Sequence, residues 1–358
     1  MNKLKLVGLS ALAGSLAMTS ANAVDYVLAG DAAMAYAGQH DTTSGSGGEG
    51  FALDTSLYFD ASGSLDNGWN VSFSMDFDNE SGTVANTSTQ AAVTMGSMGT
   101  IQINQLGGSA ANAIDDVTPS AWEEAYGMGT IAVAANSDAE TAKVGGDAGF
   151  FGSSTSSGSI QYTAPALETS GATITASVVW DPNANIGTTA FNGVNGGEHG
   201  MAYVLQVAHE SGLQFGAGLE TIKSNGNYGQ TAGRTANDEE SVTGYVKYSV
   251  GPISAGYQES YQDSLDGAAD YEAQMYSIAY TAGDMSISWA ESEVTTKGHA
   301  ETGAETTDAD AIAVSYSMGS MTIQAQRSEQ SRSTVATTGG AATTRDLDET
   351  GIKVSFAF

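Results

Sequence analysis

The sequence predicts an all-β protein, a transmembrane antiparallel up-and-down β-barrel of about 16 strands. The first observation is the carboxyl terminus: Ile352, Val354, Phe356 and Phe358 alternate with Lys353, Ser355 and Ala357. Successive strand side chains point to opposite faces, so the four large residues share one side. The second is that this alternation recurs upstream with small or polar residues on the other face. In Trp69 to Asp78, Trp69, Val71, Phe73, Met75 and Phe77 interleave with Asn70, Ser72, Ser74, Asp76 and Asp78. Such a second face cannot fill a dry core, whereas lipid outside and water inside suits both faces. The third is an alternation of tight turns with long polar connections, as an up-and-down barrel requires.

Composition narrows the function. The 358 residues exceed the usual domain size, but closed barrels of this length form single units. The absence of Cys excludes disulfides, thiol chemistry and Cys-ligated zinc. A formal charge of -30 argues against nucleic-acid partners, whose phosphates are held mainly by Lys and Arg.

Residues 1–23 read as an export signal. Lys3 and Lys5 form a positive start, Leu6 to Met18 an apolar stretch, and Ala21-Asn22-Ala23 a cleavage site. The mature chain is expected to span 24–358, and loss of the two lysines takes the formal charge from -30 to -32. No later segment offers the roughly 18 or more apolar residues of a membrane helix, so any membrane crossing is by strands.

Strands of about 9 to 11 residues are expected to start near Tyr26, Phe51, Trp69, Gln90, Thr100, Gly158, Ala172, Met201, Leu213, Ser241, Ile253, Tyr271, Met285, Asp310, Met321 and Gly351. The count is even, which places both termini on the short-turn side. Turns are expected at Leu65 to Gly68, Met98-Gly99, Glu210 to Gly212, Gly251-Pro252, Gly283-Asp284 and Gly319-Ser320, all rich in residues that accept turn dihedrals. The other end carries the long connections Gly38 to Gly50, Asp181 to Gly200, Lys223 to Glu240, Ser292 to Asp308 and Ser331 to Glu349. Outward aromatics near strand ends, Tyr26, Trp69, Phe77, Trp180 and Trp289, suit interfacial girdles.

One connection, 107–157, is far longer than the rest, and loops of that size are usually functional or disordered. Pro119 followed by Ser120-Ala121-Trp122-Glu123 resembles a capping box, so a short helix is expected from Ser120, ended by Gly127 and Gly129.

The export signal, the alternating segments, the outsized loop and terminal Phe358 together resemble a general diffusion porin of the Gram-negative outer membrane. The likeness implies a water-filled channel for passive diffusion of ions and small hydrophilic solutes, three associated barrels, and contact with outer-membrane lipid and lipopolysaccharide. It also implies that the terminal segment, with Phe356 and Phe358, is the insertion signal read by the assembly machinery. The long third loop would fold into the barrel and narrow the lumen, making Asp115, Asp116, Glu123 and Glu124 the candidate acidic side of a constriction. A solvated rim loop is the plainer reading of the same carboxylates.

Where the family implies an arginine cluster on the facing wall, this chain has no Lys or Arg between Val24 and Ala142. Strand parity puts Asp31, Asp54, Asp60 and Asp76 inward instead, with Lys247 and Lys353 as later inward cations. A lumen of one sign gathers counter-ions and excludes co-ions, so a preference for cations is expected. A general acidic bias of the surface would also account for the composition.

No cofactor is expected. The acidic runs Asp115-Asp116, Asn237 to Glu240 and Asp346 to Glu349 offer hard oxygen ligands for weak Ca²⁺ or Mg²⁺ binding, though none has EF-hand spacing and solvated loop faces explain them as well. No enzyme motif is present, and His40, His199, His209 and His299 are scattered. Two alternatives stay open: a substrate-specific channel, for sugars for example, hinted at by inward Tyr58 and Tyr245, and a secreted β-rich adhesin.

Overall fold

A computed structural model of the chain describes residues 24–41, 47–80, 83–122, 125, 158–182, 184, 197–224, 238–263, 269–298, 305–334 and 343–358. These form β1 (Val24–Asp41), β2 (Gly47–Ser64), β3 (Asn70–Glu80), β4 (Thr83–Thr94), β5 (Thr100–Gln105), β6 (Ser159–Thr163), β7 (Leu167–Thr169), β8 (Ala172–Asp181) and β9 (Gly197–His209). There follow β10 (Leu213–Ser224), β11 (Glu239–Val250), β12 (Ile253–Asp263), β13 (Ala269–Ala282), β14 (Met285–Gly298), β15 (Glu305–Met318), β16 (Met321–Thr334) and β17 (Thr343–Ala357). Each pairs antiparallel with its neighbours, and β1 pairs with both β2 and β17, which closes the ring. Since β6 and β7 both pair with β8, they are two parts of one stave, and the described barrel has sixteen. The interruption falls at Ala164 to Ala166, where Pro165 has no N–H to give to the ladder.

Closure uses the end of the chain. Gly30 and Phe358 exchange backbone hydrogen bonds, each 2.8 Å. The Phe358 ring lies over Gly30, where a Cβ would come within 2.8 Å of the ring edge and of the Ser56 carbonyl. Gly30→Val is therefore expected to lower the folded fraction and the urea midpoint, by about 1–3 kcal/mol of overpacking. The mobility shift between unheated and heated samples in a detergent gel measures it.

The sixteen expected strands are the sixteen staves, but the chain pairs further at the long-loop end than the alternation indicates. β1 and β2 have 18 residues and β17 has 15. β4 begins at Thr83 rather than Gln90, β15 at Glu305 rather than Asp310, and β17 at Thr343 rather than Gly351. The segments expected as connections from Gly38, Ser292 and Ser331 begin as strand, to Asp41, Gly298 and Thr334. Backbone pairing continues where the outward face is no longer apolar, and there the alternation carries no signal. At the other end the expected turns are present, with Gly68, Gly99, Gly212, Gly251, Gly283 and Gly319 at positive φ. The turn between β7 and β8 was not expected: Ser170 and Gly171 both have positive φ, as a two-residue hairpin needs.

Candidate functional site: the lumen and its inner loop

The third loop leaves β5 through three consecutive residues of positive φ, Leu106, Gly107 and Gly108. Two wall glutamines hold this bend: Gln90 donates to the Gly107 carbonyl at 3.2 Å and Gln102 to that of Gly108 at 3.1 Å. The chain then runs along the inner wall. Ala110 N–H donates to Gln161 of β6 at 2.7 Å. A 3₁₀ turn at Asn112–Ile114, whose Asn112 N–H donates to Ser109 Oγ at 3.1 Å, buries Ile114 fully among Val179, Ala202, Val204 and Tyr245 on β8, β9 and β11.

Gln258 on β12 is the main anchor. Its Oε1 accepts from Val117 N–H at 2.8 Å, and its Nε2 donates to the carbonyls of Ile114 at 3.0 Å and Asp115 at 2.7 Å. Pro119 lies over Gly256, where a Cβ would fall 2.6 Å from its ring, and Ser277 of β13 donates to the Pro119 carbonyl at 2.6 Å. Ala121 N–H donates to Ser288 of β14 at 2.8 Å, and its carbonyl accepts from Gln324 of β16 at 3.2 Å. Ser328 of β16 donates to the Ala125 carbonyl at 2.8 Å. Trp122 closes this arc against Ala35, Ala37, Ala52 and Ala313, with Lys353 Nζ 5.5 Å from its ring centroid. A stretch of extended chain thus satisfies its backbone from wall side chains, as buried polar groups require.

In place of the helix expected from Ser120, the chain bends there, and Ser120 Oγ accepts from Trp122 N–H at 3.1 Å. The wall supplies the hydrogen bonds that a helix would have supplied. Glu123, Glu124, Gly127 and Gly129 lie outside the described residues, as does His299.

The described part of the loop follows β6 through β16, which leaves β2 to β5 largely uncovered. On that side the inner face is acidic. Register places Asp31 and Asp78 on either side of Ser56, and Asp54 two residues along from Ser56. Asp54 is therefore diagonal to both, about 7–8 Å by strand geometry. Tyr58 donates to Asp31 at 2.6 Å and Thr87 to Asp78 at 2.6 Å. Asp54 Oδ1 is shielded and has no hydrogen-bond partner among the described residues, and Lys353 stands within electrostatic reach of it. Asp76 and Asp60 occupy the same face nearer the turns, opposite Tyr58 and Ser74.

The other predicted residues fall elsewhere. Asp115 and Asp116 are half-buried on the loop beside β12, roughly half-way round the ring from β2; Asp115 accepts from Asn112 at 3.1 Å and from Asp116 N–H at 2.9 Å. Lys247 is inward on β11, across from Gly256. The geometry therefore brings together Asp31, Asp54 and Lys353 but not Lys247. Tyr58 and Tyr245 sit on separate sectors, and Tyr245 packs beneath the loop with Gln206 donating to its hydroxyl at 3.1 Å, so they form no shared track. In the acidic run on β17, Asp346 is exposed and Leu347 buried, so alternation sends neighbouring residues to opposite faces. Among the described residues no group of three or more His, Asp or Glu is placed to hold a metal.

Sequence reasoning did not single out Asp78, Trp122 or Gln258. Asp78 was visible as the last inward position of its strand. The inward alanines of β1, at every second position from Ala33 to Ala37, were the available sign of a seat for a large ring.

A closed ring of sixteen antiparallel staves with an apolar exterior, a polar interior and a loop on its inner wall defines a β-barrel channel of the outer membrane. The chain belongs to the Gram-negative porin family, which it matches over residues 8–331. No curated protein sequence matches it. Among solved structures, an anion-selective porin from Comamonas acidovorans has 10% identity and a TM-score of 0.66, over 94% of this chain and 100% of that one. A loop-deletion mutant of OmpT, an outer membrane protein of Vibrio cholerae, has 12% identity and a TM-score of 0.63, over 95% and 100%. A mutant of Rh. blastica porin has 13% identity and a TM-score of 0.51, over 93% and 100%.

Proposed function

We propose that this porin is a passive channel that favours cations and neutral solutes over anions. The observation that carries the reading is the Asp31, Asp54 and Asp78 wall, in a stretch without Lys or Arg from Val24 to Ala142. Fixed carboxylates beside a water-filled path raise the local cation concentration and lower that of anions. The anion-selective Comamonas porin shares the fold at 10% identity, and selectivity resides in wall residues rather than in the fold.

In this reading 107–157 narrows the lumen, with Asp115, Asp116, Glu123 and Glu124 as a second acidic border. Passage makes and breaks no bond, so no catalytic residue or cofactor is needed. Residues 1–23 direct export and are removed, Phe356 and Phe358 mark the chain for the assembly machinery, and three copies associate amid lipid and lipopolysaccharide. A similar OmpT structure is described as a trimer form. The test is the zero-current potential of the purified protein in a planar bilayer under a tenfold KCl gradient. Discrete steps with a potential toward that of K⁺ are expected, and a potential toward that of Cl⁻ would overturn the proposal.

A further inference from the structure

The apolar belt on the outside of the barrel is not of even height. On β1 the outward side chains run from Tyr26 to Tyr36 before the polar His40, and on β2 from Ala61 back to Phe51 before Glu49. Ten residue steps at about 3.4 Å and a tilt near 40° give roughly 25 Å, the height of a full hydrocarbon band. On β14 only Met285, Ile287 and Trp289 precede Glu291, and on β16 only Met321, Ile323 and Ala325 precede Arg327 and Glu329. Four steps give roughly 10 Å by the same geometry. The turns Gly283-Asp284 and Gly319-Ser320 lie directly below, so the belt cannot extend downward instead.

Aromatic residues bonded to a carboxylate mark the upper border on both sides, at different heights. On the tall side Tyr36 packs on Phe51 at 5.0 Å between centroids and its hydroxyl donates to Glu49. On the low side Tyr276 meets Trp289 edge-on at 5.7 Å and its hydroxyl is bonded to Glu291. Tyr36 is twelve residues above the start of its strand, and Tyr276 six above the end of its own. Above the low border, Glu291, Asp310, Glu329 and Asp348 are direct cross-strand neighbours on β14 to β17, with Glu293 opposite Asp308 in the next row. Arg327, one outward position below Glu329 on β16 and opposite Ile312, pairs with Glu329 at 2.6 Å. Like charges directly opposite repel, and water is what makes such rows tolerable. On β2 the outward Phe51 and Leu53, in register with Ile287 and Met285 through the intervening strands, are 84% and 62% exposed.

We propose that the outer surface of β12 to β16 above Tyr276 and Trp289 stands in the hydrated headgroup layer, so that the outer leaflet is thinned along this one side of the barrel. The inference is independent of ion preference and depends only on the barrel's membrane placement. Hydrophobic mismatch of this kind is met by thinning of the bilayer.

The absence of Cys allows single labels. Spin labels on Glu291→Cys and Glu329→Cys, and on Met34→Cys and Leu53→Cys, would be compared in phosphatidylcholine vesicles for collision with oxygen and with a water-soluble nickel complex. Unheated gel mobility selects folded protein. The proposal expects 291 and 329 to meet nickel, and 34 and 53 to meet oxygen. If all four meet oxygen, or if 291 and 329 are shielded from both reagents as under a covering protein, it is overturned. Refolding gives a second measure. Wild type is expected to insert several-fold better into 12-carbon than into 18-carbon lipids, and Glu291→Leu, Asp310→Leu, Glu329→Leu together to lose that bias; equal wild-type yields would refute the thinning.

Discussion

Replacing Asp31, Asp54 and Asp78 together by Asn is expected to remove most of the cation preference while leaving conductance steps in place. The three side chains share the inner face of β1 to β3, with Asp54 diagonal to the other two. A unit charge about 8 Å from an ion contributes about 0.5 kcal/mol in water, so three contribute about 1.5 kcal/mol, roughly a tenfold change in ion partition. Asn keeps an acceptor for Tyr58 on β1 and for Thr87 on β3, so the wall keeps its shape. Relief of repulsion among the carboxylates should leave the barrel at least as stable. Asp115→Asn with Asp116→Asn is the companion measurement. An unchanged zero-current potential in the triple variant, with a shift in the loop pair, would move the selective region to the loop's side of the lumen.

The second large effect is expected from Gln258→Ala. Gln258 is 1% exposed and binds Ile114, Asp115 and Val117 of the loop as well as Thr243 on its own wall. Its removal strands two carbonyls and one N–H, at about 1–3 kcal/mol for each group left unsatisfied. Lumen water reduces that cost where it can enter. The ladder between β11 and β13 does not depend on this side chain, so the barrel should survive and the loop should loosen. Higher mean conductance and greater open-channel noise are expected in single-channel records. Gln258→Glu keeps an acceptor for Val117 N–H but turns a carboxylate oxygen toward the Ile114 and Asp115 carbonyls, and should loosen the loop at least as much as Ala. Conductance equal to wild type in both variants would mean that Ser277, Ser288, Gln324 and Ser328 hold the loop unaided.

The staves were legible because lipid and water impose opposite demands on alternate residues, as Trp69 to Asp78 illustrates. That signal ends with the belt. The upper part of β17, Thr343 to Glu349, pairs with β16 along its backbone, with Ser331 donating to Asp346 at 2.7 Å, yet shows no apolar alternation in the sequence. The site was legible in part. Parity placed Asp31, Asp54 and Asp76 on the inner face, yet the residues that fix the loop were invisible, because Gln258 lies 141 to 144 positions from its partners. A lone glutamine on a polar face carries no local mark of such a contact. At the described residues 120–122 and 125 the helix expected from Ser120 is absent for the same reason: wall side chains bond the backbone of Ala121 and Ala125.

The loop tethers described above are neutral amides and hydroxyls, with no ion pair among those bonds. Screening therefore touches discrimination and shape unequally. At about 1 M salt the Debye length shrinks to about 3 Å, and the pull of Asp31, Asp54 and Asp78 on a passing ion fades. Bonds from Gln258 or Ser288 to the loop backbone feel little of this. In brine such a pore would sort solutes by bulk alone, and on dilution it would regain its sense of charge without moving an atom of its frame.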